Sequence, residues 1–336
     1  MSIVLTGGGT GGHLTIVDAV KEHLSGEIIY VGSTKGLDRD WFENDSKFKQ
    51  TYFLETQTVV DKGMLGRIKT LWQIAQETLK VRKILKEQGA KVVFSVGGFS
   101  AAPASFAAIT LRIPLVIHEQ NAFTGNLNKV LKPFATSFVS TFEEGDLSKT
   151  YPVKSIFFDT KRVRSKIETV LISGGSQGSV SLNNFALKLA PIFKDKGIKI
   201  YHQAGVKNVD KVRKEYENIG VDADIFGFTK DMPKIIQEAD FAIARAGAST
   251  LWEMVANGLP ALFVPYPYAA NDHQYYNAKY LVDRKLAWVC RDKDLNEEIV
   301  LDILDKDLST ISNDLTHLIE PNGAKILAEH IESFVH

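Results

Sequence analysis

The chain has a single cysteine, Cys290, among 336 residues, which excludes an internal disulfide and a cysteine-based zinc cluster and fits a reducing compartment such as the cytoplasm. It has no excess charge of either sign. The 40 Lys+Arg residues balance 40 Asp+Glu, so the global basic footprint of a nucleic-acid binder is missing. No apolar stretch approaches the roughly 20 residues required to span a bilayer. The apolar start Ser2-Ile3-Val4-Leu5-Thr6 reaches glycine too soon, and without a basic flank, to serve as a signal peptide. It reads as a first β-strand. Short-period repeats and low-complexity tracts are absent as well.

What is present is the composition of a globular protein, 44% hydrophobic and 24% charged, long enough for two domains. Short runs rich in Val, Ile and Phe alternate with longer segments of helical period, the pattern of parallel βαβ units, which makes the fold class α/β. Strands are expected at 3–6, 28–32, 92–96, 115–118 and 138–141 in the first half. In the second they fall at 170–173, 199–202, 224–226, 241–244, 261–264 and 287–289. The charged stretch 159–168 carries no apolar stripe and reads as the linker between two doubly wound domains, 1–158 and 159–320, flanking a cleft. A last helix, about 321–336, is expected to pack back on the first domain.

Glycine-rich turns carry the chemistry. After the first strand come Gly7-Gly8-Gly9-Thr10-Gly11-Gly12-His13, five glycines within six residues, where backbone can approach an anion and a helix N-terminus can supply donors. Gly7, Gly9 and Gly12 have the dinucleotide spacing, but the second strand ends Val31-Gly32-Ser33-Thr34 without the acid that would hold a ribose. A P-loop fails because His13 stands where lysine is needed. The second half opens likewise with Gly174-Gly175-Ser176-Gln177-Gly178. This imitates a hydrolase nucleophile elbow, with Ser176 as nucleophile and Asp240 and His273 as partners, but no HGGG-type oxyanion loop precedes it. A second phosphate cradle, with Ser176 as hydroxyl donor, explains both turns by one mechanism.

Two further clusters sit at expected carboxyl ends of strands, where open α/β sheets place ligands. One is Gly97-Gly98-Phe99-Ser100 with His118-Glu119-Gln120-Asn121. The other runs from Arg245-Ala246-Gly247-Ala248-Ser249-Thr250 to Glu253 and on to Asp272-His273-Gln274 and Asn277-Ala278. Glu253, one helical turn in, can accept both hydroxyl protons of a ribose.

In that order, GGGTGGH, GGF, HEQN, GGSQG, HQAG and the 245–278 region resemble the MurG family of GT-B glycosyltransferases, which make lipid II for peptidoglycan. The resemblance covers nearly the whole chain. It implies two Rossmann-like domains and transfer of N-acetylglucosamine, with inversion, from UDP-GlcNAc to the MurNAc 4-hydroxyl of lipid I. By motif match, Ser176 and Gln177 would lie near the donor phosphates, Thr229 near the uracil, Ala248, Ser249 and Thr250 along the donor, Glu253 on the ribose and Gln274 on the sugar. Thr10, Gly11, Gly12 and Asn121 would line the cleft from the first domain. Inversion needs a general base, for which His13 is the first candidate and Glu119 the second. Lys154 stands where the family often has arginine, keeping the charge but losing the planar fork. No clustered Asp-x-Asp metal site is read from the sequence, so no metal is expected to be obligatory, although solution Mg²⁺ could assist the pyrophosphate.

Lipid I resides in the inner leaflet of the bacterial inner membrane, so the enzyme implied by the resemblance works peripherally on the cytoplasmic face. From Lys62 to Lys86, Met64, Leu65, Ile68, Leu71 and Trp72 lie among basic residues such as Arg67 and Lys69. Such a segment can bury an apolar face in the headgroup layer while its cations meet anionic lipid. Its later half reads as an ordinary amphipathic core helix.

Overall fold

Short runs of Val, Ile, Leu and Phe form two all-parallel six-stranded sheets in the computed structural model of the protein, which describes residues 2–56, 64–175 and 177–335. The first sheet contains β1 (Ser2–Thr6), β2 (Glu27–Ser33), β3 (Gln50–Leu54), β4 (Ala90–Ser95), β5 (Leu115–Glu119) and β6 (Ser137–Ser140), ordered β3-β2-β1-β4-β5-β6. The second contains β7 (Thr169–Ser173), β8 (Lys199–Gln203), β9 (Asp224–Phe226), β10 (Phe241–Ala244), β11 (Ala261–Phe263) and β12 (Trp288–Val289), ordered β12-β11-β10-β7-β8-β9. Each is a Rossmann sheet whose order reverses beside its first strand, between β1 and β4 and between β7 and β10. Ile3, Val4, Leu5, Val92, Val93 and Phe94 are buried because helices cover both faces of the central strands. The one strand not expected is β3. As an edge strand it is only half-buried at Thr51, Tyr52 and Phe53, so Gln50-Thr51-Tyr52-Phe53-Leu54 lacks the continuous apolar run that marks its neighbours.

The chain divides into two compact units, Met1–Val153 with Asn322–His336, and Lys154–Pro321. The C-terminal helix, Gly323–Glu332, buries Leu327, Ala328 and Ile331 in the first unit. It is pinned there by Glu332, whose Oε1 accepts from Ser25 N and Oγ at 2.7 Å, and by a 2.8 Å bond between His330 Nε2 and Ser137 Oγ.

The stretch 159–168 was expected to be a linker, yet its arginines are anchored in the second unit. Arg162 Nε and Nη2 donate to the carbonyls of Gln237, Glu238 and Ala239 and to Asp240 Oδ1. Arg164, 1% exposed, donates to the carbonyls of Ile236, Ala239, Asn257 and Arg162 and to Asn257 Oδ1, at 2.5–2.9 Å. Two guanidinium groups therefore satisfy the orphan carbonyls ending the helices Met232–Glu238 and Ala248–Asn257, where the helix dipole favours cations. Burial holds the Arg164 pKa down at about 9.

The long helix Met64–Glu87 buries Thr70, Glu77, Thr78, Val81 and Leu85 and leaves Ile68, Leu71 and Trp72 exposed at 56%, 57% and 66%. Lys62, and the side chains of Met64, Leu65 and Arg67, lie outside the described residues. Among the described residues no helix is long and apolar enough to cross a membrane.

Candidate active site

In the first unit the expected site residues gather at the carboxyl ends of β1, β4 and β5. The turn after β1 and the turn after β4 are built against each other. A Cβ on Gly7 would meet Val96 Cγ2 at 2.5 Å, and one on Gly98 would meet Gly8 O at 2.7 Å, so several of these glycines serve turn-on-turn packing as well as any ligand. The missing acid of the second strand is also found, five residues past the end of β2. Asp38 is fully buried, and its carboxylate accepts from Gly9 N at 2.6 Å, Tyr30 OH at 2.9 Å and Ser33 N at 3.0 Å. It holds the turn from within, and the donor at Gly9 is thereby committed to the protein. The motif continues into the start of the helix Gly11–Lys21, with Thr10 as its N-cap residue.

Thr10 does not cap that helix with its side chain. Its Oγ1 lies 2.7 Å from His13 Nδ1 and fixes the ring, whose Nε2 lies toward Gly98. His118 is fully buried, with its pKa pushed down to about 3 by burial and, secondarily, by His13, so it stays neutral at any physiological pH. Neither of its ring nitrogens has a hydrogen-bond partner among the described residues. Glu119 is differently placed from the free carboxylate expected of a base. Its Oε1 accepts from Asn121 N and Nδ2, and its Oε2 from Gly125 N at 2.8 Å and Asn128 Nδ2 at 2.9 Å. Four donors occupy its lone pairs, so it orders the loop that presents Asn121, and the geometry disfavours it as a proton acceptor.

In the second unit most of the expected site residues follow the carboxyl ends of β7, β10 and β11. Ser176 lies outside the described residues. Gln177 beside it is exposed, and Gly178, at φ +76°, packs so closely on Ala204 O that a Cβ would collide with it. The HQAG segment is thus scaffold for this turn. His202 is buried between Tyr216 OH (3.1 Å) and Asn183 Oδ1 (3.0 Å), its pKa pushed down to about 4 by burial, while Asn183 Nδ2 donates to Ala204 O. Ser179 caps the next helix, Val180–Asp195, by accepting from Leu182 N.

Gly247 introduces the helix Ala248–Asn257, so Ala248, Ser249 and Thr250 form its first turn at the end of β10. Glu253 follows on the same helix. Burial pushes its carboxyl pKa up to about 7, with the Lys154 ammonium pulling it down, which brings these two expected residues into one electrostatic neighbourhood. Gln274, in the first turn of the helix His273–Val282, accepts from Tyr266 N at 2.9 Å. Asn277 Nδ2 donates to Ala246 O, tying that helix to the Arg245 turn. Thr229 stands apart, on an open cavity of about 480 Å³ beside β9, with its Oγ1 accepting from Asp231 N.

The hydrolase alternative fails on position. Asp240 precedes β10 and accepts from Glu168 N and Thr169 N at the amino end of the sheet, opposite the carboxyl end of β7, where Gly174 and Gly175 follow the strand. Among the described residues no group of three or more His, Cys, Asp or Glu side chains is placed to hold a metal ion.

Family profiles of the glycosyltransferase family 28 N-terminal and C-terminal domains match residues 3–140 and 169–331. The chain belongs to glycosyltransferase family 28. This family 28 chain is 53% identical, over 99% of both chains, to the UDP-N-acetylglucosamine–N-acetylmuramyl-(pentapeptide) pyrophosphoryl-undecaprenol N-acetylglucosamine transferase of Sulfurovum sp.. It is 47% identical to the protein of the same name from Wolinella succinogenes, over 99% of this chain and all of that one. The crystal structure of Acinetobacter baumannii MurG superimposes with a TM-score of 0.77 at 25% identity, covering 99% of each chain, and so shares the two-domain GT-B fold. A UDP-GlcNAc 2-epimerase from Neisseria meningitidis shares the fold alone, at a TM-score of 0.60 and 13% identity over all of this chain and 99% of that one.

Proposed function

We propose that this chain moves N-acetylglucosamine from UDP-GlcNAc to the MurNAc 4-hydroxyl of lipid I, with inversion, giving lipid II for peptidoglycan synthesis. The full-length match to the Sulfurovum transferase at 53% identity carries the reading. The second unit holds the donor. The pyrophosphate lies on the Ser176–Gln177 turn and the first turn of the 248–257 helix, the uracil near Thr229, the ribose hydroxyls on Glu253 and the hexose on Gln274, with Lys154 supplying positive charge. The first unit takes the acceptor through Thr10, Gly11, Gly12 and Asn121.

His13 is the general base. With Nδ1–H donated to Thr10, the Nε2 lone pair accepts the acceptor hydroxyl proton as that oxygen bonds to the anomeric carbon and the bond from that carbon to UDP breaks. Positive helix ends at the pyrophosphate stabilise the departing charge, so no resident metal is required and solution Mg²⁺ only assists. The enzyme works at the cytoplasmic face of the inner membrane, with Ile68, Leu71 and Trp72 entering the headgroup layer among Lys69 and neighbouring cations that meet anionic lipid.

Radiolabelled UDP-GlcNAc supplied with and without a lipid I analogue tests the assignment, which requires label to reach lipid only when the analogue is present. UDP release with rearrangement of the sugar in the absence of acceptor would sink it. For the membrane face, replacing Leu65, Leu71 and Trp72 by serine should abolish sedimentation with anionic vesicles while leaving transfer to a soluble acceptor intact. Unchanged sedimentation would refute the docking surface.

A further inference from the structure

Three loops of the second unit carry the donor in the proposal above: the Gly174–Ser181 turn, the Arg245–Thr250 turn and the Tyr266–Tyr275 segment. No sequence motif pointed to what holds them in register. The structure places two adjacent residues of opposite charge, Arg291 and Asp292, just past the carboxyl end of β12, and their side chains reach different loops.

Asp292 receives Arg245 through two bonds, Nη1 to Oδ1 at 2.6 Å and Nη2 to Oδ2 at 3.1 Å, and its Oδ2 also accepts from Ser181 Oγ at 2.9 Å. Arg245 Nη2 in turn donates to Ser179 Oγ at 2.6 Å and Ser181 Oγ at 2.9 Å. Ser179 is the N-cap residue of the helix that follows the Ser176 turn, so one carboxylate fixes the Arg245 turn against the Gly174–Ser181 turn. The Arg245 and Asp292 side chains are only 11% and 20% exposed, and a bidentate pair of this kind is geometrically demanding.

Arg291 faces the third loop. Its Nη2 donates to Asp272 Oδ2 at 2.6 Å and Nη1 to Oδ1 at 3.3 Å, and its guanidinium lies 4.2 Å from the Tyr275 ring centroid. Asp272 and Asn271 before it both stand at φ 53°, two consecutive left-handed residues that carry Cβ atoms. That conformation is unfavourable for each and persists only where its surroundings hold it. The Arg291 pair grips this turn one residue before the helix that presents His273 and Gln274.

We propose that Arg291 and Asp292 are positioning residues forming a two-pronged clamp: Asp292 aligns the two loops that take the UDP pyrophosphate, and Arg291 separately aligns the loop that takes the hexose. Neither contacts the reacting atoms. The inference rests on the donor placement proposed above and goes beyond it, because it assigns the two ends of one ligand to two adjacent side chains.

Calorimetric titration of the full-length protein with UDP and with UDP-GlcNAc, at one pH, tests it. Asp292→Asn should weaken both ligands about tenfold, since the pyrophosphate is common to them. Arg291→Met should weaken UDP-GlcNAc about tenfold and leave UDP within about twofold of wild type, with Arg291→Lys restoring part of the loss. Ser181→Ala, which removes one strut of the Asp292 prong and keeps the ion pair, should follow Asp292→Asn in direction even if that variant folds poorly. Equal losses for the two ligands in the Arg291 variant would mean general loosening of the unit and overturn the clamp, as would unchanged affinities in both variants. If wild-type protein bound neither ligand, the proposed function itself would fall, an outcome distinguishable from either of these.

Discussion

Glu253 offers the sharpest quantitative test, because burial raises its pKa from the ordinary 4.5 to about 7. If the ionised carboxylate accepts both ribose hydroxyls, only the ionised fraction of the protein is competent, and the apparent dissociation constant is the intrinsic one divided by that fraction. With a pKa of about 7 the fraction is about 1/11 at pH 6 and about 10/11 at pH 8, so UDP-GlcNAc should bind about tenfold more tightly at pH 8. UDP-GlcNAc is the right probe because its pyrophosphate, esterified at both ends, does not titrate in this range. At pH 7 binding should release about half a proton, visible as a dependence of the calorimetric enthalpy on the buffer's ionisation heat. Stability has the opposite sign. The folded ligand-free protein keeps a proton that the unfolded chain loses near pH 4.5, so stability is greatest below that value and falls as pH rises through about 7, by about 3 kcal/mol in all. Glu253→Gln should flatten both profiles. Equal wild-type affinity at pH 6 and pH 8, or the same pH profile in the Gln variant, would refute the reasoning.

Three other outcomes follow from the geometry. Arg164→Met removes five hydrogen bonds, although the carbonyls of Ala239, Asn257 and Arg162 each keep a second donor, and should cost about 2–4 kcal/mol in denaturant unfolding; a loss under about 1 kcal/mol would contradict the anchoring role. Gly178→Ala places a Cβ against Ala204 O in a left-handed residue, so it should lower the thermal midpoint and weaken UDP binding together, by about 1–3 kcal/mol of stability. His13→Gln should reduce kcat by about 10²–10⁴ with little change in the KM for UDP-GlcNAc, and a kcat within threefold of wild type would assign the base elsewhere.

The sequence by itself determined eleven of the twelve strands and the glycine turns that follow several of them. Parallel strands buried on both faces must be nearly continuous apolar runs, and the glycine turns that follow them are legible because few other residues tolerate such backbone. Where those conditions lapse the reading lapsed too, as at the half-buried edge strand β3. Family membership was legible for a different reason, since six motifs in fixed order are a linear property.

Tertiary structure decided which polar groups are spoken for. Glu119 looked like a base until four donors converged on it, and the 159–168 stretch looked like a solvated linker until Arg162 and Arg164 were found ending two helices. Asp38, five residues past its strand, proved to hold the first glycine turn, while Asp292 proved to bond Arg245 and Ser181 and Arg291 to bond Asp272, partners remote in the chain. A side chain's partners depend on distances that folding creates between remote segments. A carboxylate that is free and one that is saturated are therefore written with the same letter.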